Sequence, residues 1–235
     1  MKIEIWSDVM CPFCYIGKRN FEKALTQFAE KEKIEIVWKS FQLDASVPDI
    51  ATESYEEYLV KRKGLSAEQV KGMLQNVTQM AREAGLDYHF DRSVIVNSLK
   101  AHRLIQFAKT CNLGDEAEER LFHAFFTEGK SIADIDTLTQ LGVEIGLDAT
   151  ELQAAFTDEQ YAYQVNQDIQ EARQIGVNGV PFFVFNRKYA ISGAQPPQAF
   201  LETLRKSFDE WQKLNPQPKL NIQQGNSCSI DGVCE

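Results

Sequence analysis

The sequence predicts an α/β fold in which a large all-helical segment is inserted after the second strand. Three observations carry that expectation. The first forty residues read strand, helix, strand; residues from about 44 to 155 show helical periodicity throughout; the chain then returns to a helix, two short strands and a closing helix. The division expected from this is one discontinuous domain over 1–43 and 156–214, a helical insertion domain over 44–155, and a tail over 215–235.

Taken in order, KIEIW at 2–6 puts Ile3 and Ile5 on one face and Lys2 and Glu4 on the other, the alternation of a half-buried strand. From Pro12 to Phe28 the spacing becomes helical, with Phe21, Leu25 and Phe28 at i, i+4 and i+7. KIEIVWKSF alternates again and gives the second strand. The insertion opens with SYEEYLVKRKGLSAEQVKGMLQNVTQMAREAGL, a helical run broken at Gly64 and Gly85. RSVIVNSLKAHRLIQFAKT follows, with Ala101, Leu104, Ile105 and Ala108 on one stripe, and then DEAEERLFHAFFTEG and DIDTLTQLGVEIG. The breaks are unequal and no internal repeat is evident, which argues against a solenoid.

Beyond the insertion, Tyr161, Val165, Ile169 and Ala172 share a helical face, and Gly176 suits a C-cap. VPFFVFN and KYAISG, joined through Asn186-Arg187-Lys188, suit a β-hairpin. PPQAFLETLRKSFDEWQKL starts at prolines, as helices tolerate, with Leu201, Leu204, Phe208 and Trp211 facing inward. After Asn215-Pro216 the composition turns to Gln, Asn, Pro, Ser and Gly, a flexible tail.

A net charge of -9 over 235 residues speaks against nucleic acid, whose phosphates require basic patches. No stretch approaches the roughly 18–20 apolar residues of a membrane span. The N-terminus alternates rather than forming an apolar leader, so a soluble, cytoplasmic chain is expected. Five cysteines, Cys11, Cys14, Cys111, Cys228 and Cys234, are too few and too unevenly spaced for a disulfide scaffold. In a reducing compartment, paired cysteines serve more often as metal ligands or redox catalysts than as structural bridges. The pair Cys11-Pro12-Phe13-Cys14 opens a helix that follows a strand, the setting in which C-x-x-C reads as a redox motif.

The segments WSDVMCPFCYIGKRNFEKAL, NSLKAHRLIQFA and GVNGVPFFVFNRKYAISGAQ, in that order, resemble the DsbA-like family, most closely its cytoplasmic FrnE branch of disulfide oxidoreductases. The resemblance covers essentially residues 1–215 and implies a thioredoxin-like fold carrying the helical insertion. It implies thiol–disulfide oxidoreductase or disulfide isomerase activity on protein or peptide disulfides, with a cellular thiol such as glutathione or a thioredoxin-type reductant as electron partner. No organic cofactor and no metal would be required.

Under that reading Cys11 is the nucleophile, stabilised as a thiolate by the unpaired N–H groups and positive end of the helix. Cys14, one turn further in, is the resolving thiol. Pro12 suits the first helical turn, where its missing N–H costs nothing. Relatives with histidine between the cysteines are strong oxidants. Phe13 stands there in this chain, so a potential between about -120 and -270 mV is expected. By the same resemblance Val180-Pro181 is a cis-proline step facing the cysteines, and Val180, Pro181, Pro12 and Phe13 bind substrate. Cys228 and Cys234 are expected to form an accessory redox pair.

Other readings stand beside these. Cys11, Cys14, Cys228 and Cys234 could together hold zinc, which favours four thiolates, although their pair spacings are asymmetric. Glutathione-dependent small-molecule isomerases and transferases of the kappa type share the fold, but usually carry serine at the position of Cys11 and lack the second thiol. A holdase role for the insertion is a third. Cys111 is expected to be a small apolar filler, His102 a core histidine sharing a face with Ile95, Leu99 and Ile105, and Lys18 a solvated charge. His89 and His123 have no second ligand at metal spacing.

Overall fold

In the computed structural model, which describes residues 1–51 and 53–216, β1 (Lys2–Ser7) and β2 (Glu35–Ser40) pair in parallel, with Ile3 opposite Ile36 and Ile5 opposite Trp38. Parallel neighbours need a crossover, and α1 (Pro12–Thr26) supplies it. β3 (Phe182–Phe185) runs antiparallel to β1, and β4 (Tyr189–Ser192) antiparallel to β3, giving the order β2-β1-β3-β4. The turn between β3 and β4 has Asn186 and Arg187 at positive φ and is closed by the Lys188 N–H on the Phe185 carbonyl at 3.0 Å.

The two faces of the sheet bury different partners. On one, Ile3, Ile5, Phe183 and Phe185 pack with Phe21 of α1 and with Phe200 and Leu204 of α9 (Pro197–Leu214). Phe183 and Phe200 meet edge to face at 4.7 Å, an arrangement worth up to about 1 kcal/mol beyond area burial. On the other, Trp6 and Val184 pack with Ala172 of α8 (Glu159–Gln174) and Val177. The Trp6 indole donates to the Asp168 carbonyl at 2.9 Å, so the ring is buried without losing its hydrogen bond.

Between β2 and α8 come α2 (Tyr55–Lys63), α3 (Ala67–Ala84), α4 (Leu99–Thr110), α5 (Gly114–His123), α6 (Ile135–Glu144) and α7 (Ala149–Ala155). Gly64 and Gly85 end α2 and α3 at positive φ, where the sequence places the breaks. The side chains of these helices form an apolar cluster that also takes in Cys11, Cys14, Tyr15 and Ile16. The first turn of α1 is therefore packed inside the core of the inserted helices.

Some local expectations are corrected. Helix α1 ends at Thr26, before Phe28. The run 92–98 precedes α4 rather than opening it. Its β-branched Val94, Ile95 and Val96 favour extended backbone, Val94 bridges to Ser54, and the Asn97 Oδ1 accepts the Leu99 N–H at 2.9 Å, which starts the helix. α5 runs on into a π-helical segment, Ala124–Glu128. Cys111 is exposed at the end of α4 and is no core filler. His102 is fully buried, as expected.

Lys18 is the clearest departure, since its side chain is 3% exposed. Its Nζ lies against Glu22, 3.3 Å from Asp115 and 3.2 Å from Glu119. A helical wheel of α1 alone places it at the surface, but α5 packs across that surface with carboxylates facing it. Lys18→Met is expected to lower the unfolding free energy by about 1–3 kcal/mol, since it leaves the facing carboxylates uncompensated. Lys23→Met, at an exposed position of the same helix, should change it by less than about 0.5 kcal/mol in urea denaturation.

Candidate active site

The cysteine pair lies where β1 ends and α1 begins. Cys11 is the N-cap of α1, with extended backbone (φ −88°, ψ 111°), and Pro12 occupies the first turn. Both sulfurs are thiols, not joined to each other, and both residues are buried, Cys11 at 4% and Cys14 at 1% exposure. Their surroundings differ. Cys11 lines a cavity of about 370 Å³ together with Phe13, Tyr55, Arg62, Leu74 and Val180. Its Sγ lies 3.4 Å from the Val180 carbonyl. Cys14 faces inward, and burial pushes its thiol well above the ordinary value. The neighbouring Cys11 adds to that rise, while the nearby Asp8 backbone and Ser7 hydroxyl oppose it.

Val180-Pro181 is a cis peptide, the geometry expected from the family pattern. The step is held against α1 by Gly17, where a Cβ would stand 2.9 Å from Pro181 Cγ and 3.5 Å from the Phe183 ring. The absent side chain at Gly17 thus sets how closely the Val180 carbonyl approaches Cys11. Phe13, 38% exposed, projects from the first turn of α1 beside the same cavity.

Three further side chains, Tyr55, Tyr88 and Asp8, fix the turn before the helix, and none is part of the Cys11–Cys14 pair. The Tyr55 hydroxyl donates to the Met10 carbonyl at 3.2 Å, and the Tyr88 hydroxyl to the Pro12 carbonyl at 2.7 Å. Burial first, then the neighbouring Cys11, pushes both phenols well above their usual value, so they stay protonated donors. The buried Asp8 accepts the Leu43 N–H at 2.7 Å and the Met10 N–H at 3.3 Å, and lies 3.4 Å from His102 Nε2. Burial alone would lower the His102 pKa; Asp8 and Glu118 outweigh it and raise the value. Burial pushes Glu118 up to about 7, with His102 pulling the other way. Sequence reasoning missed Asp8, Tyr55, Tyr88 and Glu118, because their partners lie on distant elements. Cys228 and Cys234 lie outside the described residues.

The chain matches the family model described as a DSBA-like thioredoxin domain over residues 2–205. It belongs to the DsbA-like family. Among solved structures, the probable DsbA oxidoreductase of Streptomyces coelicolor is 34% identical, with a TM-score of 0.84, over 100% of this chain and 98% of that one. The uncharacterised protein YwbO of Bacillus subtilis (strain 168) is 29% identical over 187 residues, 77% of this chain and 85% of that protein. The cytosolic disulfide reductase DsbM of Pseudomonas aeruginosa is 15% identical with a TM-score of 0.64, over 89% of this chain and 100% of that one, a likeness of fold. The thioredoxin-like fold and the family are thus those the motifs predict. No helix among the described residues is long and apolar enough to cross a membrane.

Two measurements test this geometry. Gly17→Val should push the Pro181 ring away, lowering stability by about 1–3 kcal/mol and slowing alkylation-detected disulfide exchange at Cys11. The buried acid and histidine set the pH dependence of stability. Glu118 binds its proton more tightly folded than unfolded, so its contribution is fully present below its ordinary 4.5 and is lost as pH rises through about 7. His102 acts in the same direction, its contribution present below 6.5 and lost as pH rises through its higher folded value. The urea midpoint should therefore fall from about pH 5 to about pH 8, and less steeply in Glu118→Gln.

Proposed function

We propose that the protein is a thiol–disulfide oxidoreductase or disulfide isomerase acting on protein or peptide disulfides through Cys11 and Cys14, of the cytoplasmic FrnE-like type. The observation that carries this reading is the unequal placement of the two sulfurs. Cys11 stands at the helix N-terminus, on the wall of a cavity and against a backbone carbonyl, while Cys14 is sealed one turn behind it.

In the proposed reaction the Cys11 thiolate attacks one sulfur of a substrate disulfide. A mixed disulfide forms and the other substrate sulfur leaves as a thiolate. The Cys14 thiolate then attacks Cys11 Sγ, releasing the second substrate thiol and leaving a Cys11–Cys14 disulfide. In isomerisation a thiol of the substrate itself resolves the intermediate. Glutathione or a thioredoxin-type protein returns the pair to the dithiol, and neither a metal nor an organic cofactor takes part. Val180 and Pro181 form the backbone shelf on which an extended substrate lies, with Pro12 and Phe13 on the facing side. The accessory role of Cys228 and Cys234 is part of the proposal. A kappa-type reaction on glutathione conjugates gives Cys14 no task, which favours the exchange reading.

The deciding experiment equilibrates the protein in graded reduced and oxidised glutathione, alkylates free thiols and reads the peptides by mass. Reversible interconversion of Cys11 and Cys14 between dithiol and disulfide is expected, with a midpoint between about -120 and -270 mV. Cys11→Ala should lower exchange to the uncatalysed rate, and Cys14→Ala should accumulate mixed disulfides at Cys11. A Cys11→Ala protein as active as the wild type would sink the reading.

A further inference from the structure

The cavity beside Cys11 has a charge pattern that the exchange steps leave unused. The chain as a whole carries a net charge of -9. Among the described residues, however, the charged side chains on the wall of this cavity are two cations, Arg62 and Lys63. Both belong to the last turn of α2, which Gly64 ends at positive φ. Tyr55, Tyr58, Leu59 and Arg62 follow the i, i+3, i+4, i+7 spacing of one helical face, and all four line the cavity. The rest of that wall is apolar, with Met73, Leu74 and Val77 contributed by α3.

Arg62 is oriented from behind. Its Nε lies 3.4 Å from Asp44 Oδ2, and the Asp44 side chain is only 10% exposed. Asp44 accepts the Ser46 N–H at 3.1 Å, the Ser46 hydroxyl at 2.5 Å and the Tyr58 hydroxyl at 3.1 Å. The Ser46 hydroxyl above all holds the Asp44 carboxyl below its ordinary value, against the opposing effect of burial, so an anion faces Arg62. The terminal nitrogens of Arg62 make no hydrogen bond among the described residues, and Lys63 makes no ion pair among them. Lys61, the third cation of the run, is paired with Glu53. Asp44 balances one of the two charges on the wall, so a net positive charge remains. A guanidinium with its terminal N–H groups unengaged is the donor pair that a carboxylate fits.

We propose that this wall selects polypeptide disulfides that carry a carboxylate and an apolar side chain close to the reacting cysteine. The carboxylate meets Arg62 and Lys63, and the apolar side chain meets Leu59, Met73, Leu74 and Val77. The inference rests on the exchange reading above. A cavity of about 370 Å³ is about 7 Å across, the length of about two residues of extended chain, which sets how far the acidic residue stands from the cysteine. A carboxylate near a disulfide also occurs in oxidised glutathione, but glutathione has no apolar side chain to cover the α2–α3 wall. Bringing an acidic segment to the Cys11 thiolate sets anion against anion in a protein of net negative charge. The two cations offset that repulsion where the substrate enters. Arg62 and Lys63 thus act on recognition and take no part in the bond exchange.

The test follows the rate at which the reduced protein loses its Cys11 thiol to three disulfide-bonded peptides. The peptides share a leucine beside the cysteine and differ at the next position, which is Glu, Gln or Lys; oxidised glutathione is a fourth substrate. Each rate is divided by that of dithiothreitol on the same substrate, which removes the effect of the peptide's own charge on its disulfide. At low ionic strength the Glu peptide should react at least about tenfold faster than the Lys peptide, and the ratio should fall to about threefold in about 0.5 M salt. Arg62→Lys should keep the preference, Lys63→Glu should weaken it and Arg62→Glu should reverse it, an inversion that loss of packing alone does not produce. A wild-type ratio near one, or an Arg62→Glu ratio equal to the wild type's, would overturn the proposal. So would a charge effect confined to oxidised glutathione. A wild type that reacts with none of the four substrates removes the exchange reading and this proposal with it, an outcome distinct from reaction without charge preference.

Discussion

The turn from Asp8 to Cys14 is held by hydrogen bonds from three directions, and the arrangement of the site follows from them. From within, the Asp8 carbonyl takes the Cys11 N–H at 2.9 Å, and the Cys11 carbonyl takes the Cys14 N–H at 3.0 Å. Just after β2, Leu43 donates its N–H to the Asp8 carboxylate. From the inserted helices and the segment after α3, Tyr55 and Tyr88 donate to the Met10 and Pro12 carbonyls. The Met10 carbonyl that Tyr55 caps is buried, and leaving it unpaired would cost about 1–3 kcal/mol. The inserted helices thus do more than cover the site, for without them the backbone around the cysteines loses its hydrogen-bond partners.

The same packing makes the two sulfurs unequal. One wall of the Cys11 environment is open to a cavity, and its sulfur lies at a helix end where a negative charge is favoured. Cys14 shares the apolar cluster of the inserted helices, where the neutral thiol is favoured. Two identical side chains three residues apart acquire different chemistry from where the helix begins and what packs behind its first turn.

Much of this is legible in the sequence, and the exceptions have a common cause. The alternation of Ile3 and Ile5, the helical spacing that begins at Pro12 and the hairpin after Val180-Pro181 are local patterns, and local patterns report strands, helices and turns. The Cys11–Cys14 spacing is local too. Lys18 reads as solvated because α1 alone leaves it exposed; only α5, nearly a hundred residues later, buries it. His102 reads as a core residue from its face, yet its partner Asp8 sits just after β1, far back along the chain. Tyr55 and Tyr88 carry no signal in their own segments, because a phenol that caps a distant carbonyl has no sequence period. Cys111 reads as apolar filler because lone cysteines usually are, whereas α4 ends there and turns the side chain outward.

The distance along the chain between Cys11 and the Val180 carbonyl, 169 residues, has a consequence for biosynthesis. At roughly 5–20 residues per second, a ribosome takes about 10–30 s to add Val180 after Cys11. Throughout that interval the nascent chain carries the Cys11 and Cys14 thiols with neither the carbonyl that faces Cys11 nor strand β3, the inner neighbour of β1, yet made. Pairing of β3 with β1, and then of β4 with β3, must wait for that late segment to be made. Until that segment is made, the fold cannot place the Val180 carbonyl against Cys11.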